Sequence, residues 1–418
     1  MKRIVILIDG TWCEEGSGDP TNVAKLDPAD RGAGAPLIKA FGDDGVAQRV
    51  VYHKGVGADP DFLKHWLGGS IGLGLKDIVL TAYKSLVDLY SHGDDVFVLG
   101  FSRGAYAARA LVGMIGASGI VRQAAPAHLE IAWANYRVSP SQRAAPATAS
   151  GSDKKALEDL QDLRNAGQTN PDNRVKCVGV WDTVGSYGVP AGFGLAALAR
   201  YISLVSLGFH DTTFGDHVEF GFHAVAIDER RRPFVPTFWT IEKGEQPKGH
   251  VEQTWFAGSH GNIGGGEADP RLSDLTLVWM IARMQALTGL SFDADAVRAV
   301  AKRANIDGEV YDSTIGWPID HLWPHLRRIL SPDAVIHGPF FNRASSDQEH
   351  INERVHWSAL RKRGRPGRVF GLDGAAYNPP NLPLNVPAAK IAEMTPEEKI
   401  SYTGINFSES AGVEQSDC

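Results

Sequence analysis

The chain has 418 residues, 43% of them hydrophobic and 22% charged, and its formal net charge at pH 7 is −7. This composition is typical of a globular protein with a large core, and the acidic balance argues against general affinity for nucleic acid or anionic membranes while leaving room for local basic patches. Three widely spaced cysteines without a C-x-x-C pair argue against a disulfide framework or a zinc-thiolate site and indicate reduced thiols in a cytoplasmic protein.

The chain begins with a short apolar run, IVILI, which ends at Asp9. The run is too short for the apolar region of a signal peptide, and no stretch reaches the roughly 18 apolar residues of a membrane span. We therefore expect a first strand here, and a protein that is cytoplasmic as synthesised and exported, if at all, by a signal-independent machine.

Apolar, β-branched runs alternate with helix-like stretches along the first 290 residues. Because the runs are apolar at almost every position, they are typical of strands buried on both faces. The sequence predicts an α/β fold of the α/β-hydrolase type, with a mostly parallel sheet flanked by helices and with helical or lid insertions. The predicted strands are residues 3–9, 49–53, 96–100, 175–182, 222–228 and 254–258, and the predicted helices are residues 75–91, 104–117, 127–137, 154–166 and 272–288.

This pattern predicts a single catalytic domain over residues 1–370 that carries insertions. One insertion, at about 123–172, contains the small and polar stretch 139–153, which predicts a loop that leads into a helical part. A second insertion, at 185–215, is glycine-rich and apolar. Residues 290–370 would form a helical or irregular extension. The last segment, 371–418, is rich in proline and asparagine and predicts an extended strap or a tail.

Two pentapeptides fit G-x-S-x-G, the pattern of a nucleophile elbow, in which a serine lies on a sharp turn between a strand and a helix. Ser102 in GFSRG follows the strand VFVLG and precedes the small-residue helix AYAARALVGMI, as the elbow requires. Ser70 in GGSIG follows DFLKHWLG, which is not an apolar strand. We therefore predict that Ser102 is a nucleophile and that GGSIG is a chance match in a glycine-rich chain.

A serine nucleophile needs a histidine as base and a carboxylate that orients this histidine. Asp182 ends the strand VKCVGVWD, at the edge where ligands gather in open α/β sheets, although a strand-end aspartate can also simply cap its own loop. His260 follows another apolar strand, in the glycine-rich stretch WFAGSHGNIGGG. The rival bases after Asp182 are His210, His217, His223, His250, His321 and His325.

An oxyanion hole for this serine would use the N–H of the next residue, Arg103, and a second N–H from a loop after an early strand. The IDGTW turn offers Gly10 or Thr11 as that second donor. Three roles are open for Asp9 in the same turn: to stabilise the turn, to contact Arg103, or to bind a cation.

The segment 185–215 begins three residues after Asp182. It is either a buried helix packed on the sheet or a lid or acyl-binding wall over the site, and a hydrophobic substrate would need such a surface. Its first residues, Gly185 and Tyr187, are therefore candidates for lining the site.

Six motifs, taken together, resemble a known group. They are IDGTW with TNV, GVG, GFSRGAYAAR, VWDTVGSYG, AIDERRRPFVPTFW and WFAGSHGNIGGG. By these motifs the chain is similar to the bacterial and fungal family of uncharacterised α/β-hydrolases (domain of unknown function 2235) that contains the G-x-S-x-G phospholipase effectors of type VI secretion. The resemblance covers roughly residues 3–290 and implies that Ser102 is the nucleophile, Asp182 the acid and His260 the base. The family's characterised secreted members cleave fatty-acyl esters of phospholipids.

We therefore expect a serine esterase that cleaves carboxylic esters, lipid-like ones above all, through a Ser-His-Asp triad and an acyl-enzyme, without a metal or an organic cofactor. Two alternatives stay open: an esterase for polyesters, thioesters or small acyl esters, and a hydrolase-fold interaction module without catalysis. The expected partners are the ester substrate and, by peripheral contact, a membrane, but not nucleic acid. The sequence leaves the oligomeric state open.

Overall fold

The computed structural model describes residues 1–10, 19–29, 36–55, 71–170, 172–184, 214–331, 335–337, 342–344, 347–392 and 394. Its strands, in chain order, are β1 (Arg3–Ile8), β2 (Gln48–His53), β3 (Asp95–Phe101), β4 (Val175–Trp181), β5 (Val218–Ala226), β6 (Thr240–Glu242), β7 (His250–Phe256), β8 (Val335–His337), β9 (Asn342–Ala344), β10 (Gln348–His350), β11 (Glu353–His356), β12 (Pro366–Val369), β13 (Leu372–Ala376) and β14 (Ile391–Ala392).

Eight of these strands form one central sheet in the order β2-β1-β3-β4-β5-β7-β11-β14. Every neighbouring pair in this sheet is parallel. Parallel strands end at a common edge, so the loops that follow β1, β3, β4 and β7 meet on one side of the protein. The other strands form three small antiparallel pairs outside this sheet.

Helices cover both faces of the sheet. The described ones are α1 (Asn22–Leu26), α2 (Ile71–Leu89), α3 (Ser102–Ser118), α4 (Pro126–Arg137), α5 (Pro140–Ala144), α6 (Gly151–Asn165), α7 (His260–Gly264), α8 (Arg271–Thr288), α9 (Ala294–Arg303), α10 (Pro318–Leu322) and α11 (Trp357–Lys362).

The side chains of β1 pack into two hydrophobic cores, one on each face of the sheet. Its residues alternate in direction, so Val5 and Leu7 join the core that includes α8, whereas Ile4 and Ile6 join the core that includes α2 and α3. All four are fully buried, and each contributes about 1.5–3 kcal/mol of transfer free energy on burial. A strand covered on both faces therefore has the unbroken apolar run seen in the sequence.

The structure confirms the predicted α/β architecture with a mostly parallel sheet. Each predicted strand and helix is present, with bounds that differ by a few residues. The region predicted as a helical insertion, 123–172, holds α4, α5 and α6. Residues 290–370, for which the sequence predicts a helical or irregular extension, hold α9, α10 and α11 and also β11, which pairs with β7 in the central sheet. β14, within the predicted strap or tail, pairs with β11. The domain bounds themselves stay a prediction.

The predicted lid or acyl wall lies almost entirely outside the described residues, as do the last residues of the predicted tail. At the end of this segment, Phe214 is buried and its ring packs edge-on against Trp239, with 5.4 Å between the ring centroids. No helix among the described residues combines the length and the apolar character that crossing a bilayer requires.

Candidate active site

Ser102 is the first residue of α3 and follows β3 without a loop. Its φ is +58°, a left-handed conformation that costs energy for any residue with a Cβ. The flanking glycines permit this tight turn: a Cβ on Gly104 would lie 2.2 Å from the Ile8 carbonyl oxygen, and one on Gly100 would lie 2.6 Å from the Gly104 carbonyl oxygen. GFSRG thus has the strand-turn-helix geometry of a nucleophile elbow.

His260 lies between Ser102 and Asp182. Its Nε2 is 2.7 Å from the Ser102 Oγ, and its Nδ1–H donates to Oδ2 of Asp182 at 2.6 Å. His260 starts the short helix α7 after β7, where Ser259 and Asn262 form a capping box that fixes the helix start. The carboxyl edge of the sheet therefore brings together three side chains that are 158 and 78 residues apart along the chain.

Asp182 is fully buried directly after β4, with φ at +39°. Burial alone would raise the pKa of its carboxyl group, but the nearby Arg327 guanidinium and the hydrogen bond from His260 outweigh burial and lower it. Burial lowers the pKa of His260, and the Asp182 carboxylate opposes part of that effect. The imidazole is therefore neutral near pH 7, with Nε2 able to accept a proton from Ser102.

Two aromatic rings hold the imidazole of His260. The Phe101 ring lies at a centroid distance of 4.7 Å, tilted by 33°, and the Phe234 ring meets His260 edge-on at 5.1 Å. Gly264 makes room for Phe101, because a Cβ there would lie 2.0 Å from that ring. These contacts restrict the imidazole to the plane in which it reaches both partners.

Glu229 adds a second buried carboxylate near the base. It accepts hydrogen bonds from the His260 backbone N–H at 3.3 Å, from the Arg231 side chain, and from the Ser313 hydroxyl at 2.9 Å. Although burial would raise the pKa of Glu229, the ion pair with Arg231 lowers it. Glu229 is therefore an ionised group that fixes the backbone from which the imidazole projects.

Arg327 is the main site residue that sequence reasoning missed. Its Nη1 donates to Oδ1 of Asp182 at 2.6 Å and its Nη2 donates to Oδ2 at 3.0 Å, and its side chain is 1% exposed. In the sequence it is one of two arginines in HLRRIL, with no motif or flanking glycine to distinguish it from a surface residue. Only the folded chain reveals its partner.

The turn after β1 holds the predicted Asp9 and Gly10. The Asp9 carboxylate, 1% exposed, accepts from the Gly10 N–H at 2.7 Å, from the Thr21 hydroxyl at 2.6 Å and from the Tyr52 hydroxyl at 2.7 Å. These bonds support a role in stabilising the turn. Thr21 belongs to the TNV motif, so the two motifs meet here.

Of the other predicted site residues, only Arg103 lies within the described part of the chain. Arg103 follows Ser102 in the first turn of α3, and burial lowers the pKa of its guanidinium to about 10. Thr11, Gly185 and Tyr187 lie outside the described residues.

Of the rival histidines, His210 lies outside the described residues, and the imidazoles of His217, His223, His250 and His321 contact groups other than Ser102. His223, buried in β5, accepts from the Thr183 N–H at 3.1 Å, and burial lowers its pKa to about 3. The remaining contacts are His217 Nε2 with the Val112 carbonyl at 3.0 Å, His250 Nε2 with the Glu252 carboxylate at 2.7 Å, His321 Nδ1 with the Thr314 hydroxyl at 2.9 Å, and the His325 backbone N–H with the Arg230 carbonyl at 2.9 Å.

A cavity of about 720 Å³ lies along α3, beginning one turn after Ser102. Aromatic and arginine side chains line it, among them Tyr106, Arg109, Trp133 and Trp239. Its described lining does not include Ser102, His260 or Asp182, so the cavity alone does not define where a substrate reacts. Within the described ranges, no three His, Cys, Asp or Glu side chains converge as metal ligands would.

Comparisons with known proteins place the chain in a family. A family model described as T6SS, phospholipase effector Tle1-like, catalytic domain matches residues 2–283, more than half of the chain. The "Uncharacterized protein YEL023C" of Saccharomyces cerevisiae is 24% identical over an alignment of 257 residues. The match covers 57% of this chain and 33% of that protein. A crystal structure of an uncharacterized protein from Pseudomonas aeruginosa is 17% identical, with a TM-score of 0.36, and the match covers 72% of this chain and 50% of that one.

The chain thus spans a third of the curated relative and half of the solved structure. The family match includes Ser102, Asp182 and His260 and ends before Arg327. The chain belongs to the Tle1-like catalytic domains of type VI secretion phospholipase effectors, a family of lipid-cleaving hydrolases.

Proposed function

We propose that this protein is a serine esterase that cleaves carboxylic esters of lipid-like substrates. The observation that carries the proposal is the continuous hydrogen-bonded array from the Ser102 Oγ through His260 to Asp182, with Ser102 at a strained turn between a strand and a helix. Serine hydrolases require this arrangement, because the hydroxyl is a weak nucleophile until a neighbouring base removes its proton.

In the proposed reaction, the Ser102 Oγ attacks the acyl carbonyl carbon while Nε2 of His260 takes the hydroxyl proton. The protonated imidazole is stabilised by the Asp182 carboxylate and then gives the proton to the leaving alcohol as the C–O bond breaks. A water molecule attacks the acyl-enzyme while the same imidazole takes its proton. The imidazolium then gives this proton to the Ser102 Oγ as the acyl C–O bond breaks, which releases the fatty acid and restores the Ser102 hydroxyl. No step needs a metal or an organic cofactor.

Backbone N–H groups would stabilise the oxyanion of the tetrahedral intermediate. The Arg103 N–H lies in the first turn of α3, where the helix dipole favours negative charge. The second donor would come from the Gly10–Thr11 turn. Since the Gly10 N–H donates to the Asp9 carboxylate in the structure, that donor would have to exchange Asp9 for the substrate oxygen.

An exposed apolar surface supports a lipid-like substrate and peripheral contact with a membrane. Ile315, Leu322 and Trp323 are 76%, 68% and 64% exposed, and Leu326 is 42% exposed. Single exposed apolar residues are ordinary, but four large ones within the stretch 315–326 are typical of an interaction site. We name these four residues the apolar surface.

The apolar surface is connected to the proposed base by packed side chains. Trp317, within the same stretch, meets the Phe234 ring edge-on at 6.0 Å, and Phe234 meets His260 at 5.1 Å. The Arg232 side chain donates to the Trp323 carbonyl oxygen at 3.1 Å, which adds a cation beside the apolar side chains. A lipid surface bound there would present acyl esters close to Ser102.

The decisive test compares Ser102→Ala with Ser70→Ala, the serine of the second G-x-S-x-G. The first variant should lose fluorophosphonate labelling and lower kcat on phospholipid and p-nitrophenyl esters by on the order of 10⁴-fold or more, and the second should retain both. Wild-type protein without Ser102-dependent labelling or turnover would contradict the proposal and favour a non-catalytic interaction module.

A series of ester chain lengths separates the lipid proposal from its nearest alternative. We expect kcat/KM to rise with acyl length up to that of membrane lipids. Turnover confined to short acyl groups, thioesters or polyesters would exclude a lipase while leaving the serine mechanism intact.

A further inference from the structure

The Arg327 guanidinium completes the hydrogen bonding of the Asp182 carboxylate. Oδ1 accepts from Arg327 Nη1 at 2.6 Å and from the Ala226 backbone N–H at 3.0 Å. Oδ2 accepts from Arg327 Nη2 at 3.0 Å and from Nδ1–H of His260 at 2.6 Å. Each oxygen thus has two donors, so the carboxylate cannot rotate without breaking several bonds at once.

We propose that Arg327 is a positioning residue that locks the Asp182 carboxylate in the rotamer that orients the His260 imidazole toward Ser102. This inference rests on the proposed function, because it assigns Arg327 a role in the same Ser-His-Asp array. Arg327 itself acts through Asp182 and has no contact with a reacting atom.

Only arginine supplies this geometry. Its planar fork reaches both carboxylate oxygens, and its two Nη atoms also donate to the Ala226 and Phe234 carbonyl oxygens. The Ala226 carbonyl belongs to the last residue of β5, and the Phe234 carbonyl lies in a 3-10 turn of the loop that follows, so the guanidinium ties Asp182 to the neighbouring strand end. A lysine ammonium would keep the charge but could not make both parallel bonds.

The chain around Arg327 is itself fixed on both sides. The His325 N–H donates to the Arg230 carbonyl oxygen at 2.9 Å, and the Leu330 N–H donates to the Glu353 carboxylate of β11. The Asn381 side chain donates to the Arg327 carbonyl oxygen at 3.1 Å. The region after residue 283, which lies beyond the family match, therefore contributes to the proposed catalytic array.

The guanidinium also has an electrostatic effect on the base. As a buried cation bound to Asp182, it offsets part of the attraction that the Asp182 carboxylate exerts on a His260 imidazolium. Two further charges act on this imidazolium, because the Glu229 carboxylate favours it and the Arg231 guanidinium opposes it. Loss of the positive charge of Arg327 should therefore raise the pKa of His260. Loss of the fork geometry with retention of the charge should leave that pKa near its original position.

The experiment compares Arg327→Lys, Arg327→Met and wild type on a soluble short-chain ester, with Arg283→Met as control. Arg283 forms another buried ion pair, with Glu252 at 2.8 Å, outside the Ser102–His260–Asp182 array. For each variant, kcat, KM, the pH dependence of kcat/KM and the melting temperature are measured.

For Arg327→Lys we expect kcat to fall at least about tenfold with little change in KM and an unshifted acid limb, since orientation is lost but the charge remains. For Arg327→Met we expect a larger fall in kcat and an acid limb moved to higher pH. Arg283→Met should lower the melting temperature while the folded protein keeps its kcat and pH profile.

The proposal is overturned if folded Arg327→Lys keeps the wild-type kcat, or if both Arg327 variants change only the melting temperature, as Arg283→Met does. If Arg327→Met does not fold, Arg327→Lys decides alone. Failure of the underlying function gives a different result, because the wild type would then show no ester turnover, or Ser102→Ala would retain the wild-type turnover, whatever the Arg327 variants do.

Discussion

At the scale of single residues, the protonation of His260 determines when the proposed base can act. Burial lowers the pKa of the imidazole, so it stays neutral to lower pH than an exposed histidine, whose pKa is about 6.5. Activity requires the neutral form and should be lost as pH falls through that lowered pKa. We predict that the acid limb of kcat/KM on a soluble ester has its midpoint below about pH 6.5, as measured in a pH–rate profile.

The position of the acid limb would contradict this prediction if it lay above about pH 6.5, the value for an exposed histidine. Because the pH dependence of kcat/KM reports the pKa of groups in the free enzyme, an uncharged ester is used so that titration of the substrate does not contribute to the profile. His223→Gln serves as a control, because this buried histidine bonds the Thr183 N–H and should not set the limb.

Three residues of the hydrogen-bonded array were predicted to lie together and the fourth was not, for physical reasons. Ser102, Asp182 and His260 each come after a strand of the sheet, and parallel strands bring the residues at their carboxyl ends to one edge. Arg327 comes after no strand, and its burial depends on a carboxylate 145 residues earlier in the chain. Nothing local distinguishes such an arginine from its exposed neighbour Arg328.

At the scale of elements, the junction of β3 and α3 depends on close backbone approach. A Cβ on Gly104 would lie 2.2 Å and 2.4 Å from the carbonyl oxygens of Ile8 and Asp9, which belong to backbone and cannot rotate away. We predict that Gly104→Ala lowers the free energy of unfolding by about 1–3 kcal/mol and lowers kcat as well, because the helix must move away from β1. Urea unfolding and ester turnover measure the two effects.

Gly113→Ala, on the same helix, is the matched control. A Cβ there would lie 3.0 Å from the edge of the Tyr136 ring, a side chain that can shift by a few tenths of an ångström. Since alanine is favoured over glycine in a helix by about 1 kcal/mol, this variant should be close to neutral in stability. Equal losses in the two variants would contradict the prediction, because the close backbone approach of Gly104 would then have no effect beyond that of an ordinary position on this helix.

The strands of the central sheet were predictable up to β7 and not beyond it. β1, β3 and β4 are largely apolar and β7 ends in the apolar residues TWF, whereas β11 has the sequence ERVH, which is short and partly charged. β11 is buried because Glu353 finds tertiary partners, among them the Trp255 indole N–H at 2.6 Å. Such a strand is stabilised by the sheet it joins, so its own pattern carries little signal.

At the scale of the whole molecule, one edge of the sheet gathers groups from four separate stretches of chain. Ser102, Asp182 and His260 come from within the family match, and Arg327 comes from the region after it. The apolar surface precedes Arg327 directly along the chain, so the residues of the proposed lipid contact and the residue that binds Asp182 belong to one segment. The proposed membrane contact and the proposed triad therefore share a stretch of chain.

If the apolar surface contacts lipid, a charge placed in it should weaken binding to vesicles. Trp323→Asp removes a 64% exposed aromatic side chain and should lower the affinity for phosphatidylcholine vesicles at least about tenfold in a sedimentation assay. Phe41→Asp is the control, because Phe41 is 58% exposed but bridges Ala47 at the amino end of β2, on the opposite edge of the sheet from Ser102. The Phe41→Asp variant should bind vesicles and cleave esters as the wild type does.

For Trp323→Asp, turnover of vesicle lipid should fall more than turnover of a soluble ester, since only the former needs the apolar surface. Equal vesicle binding by both variants and the wild type would contradict a lipid-contacting role for this surface and leave the esterase proposal untouched.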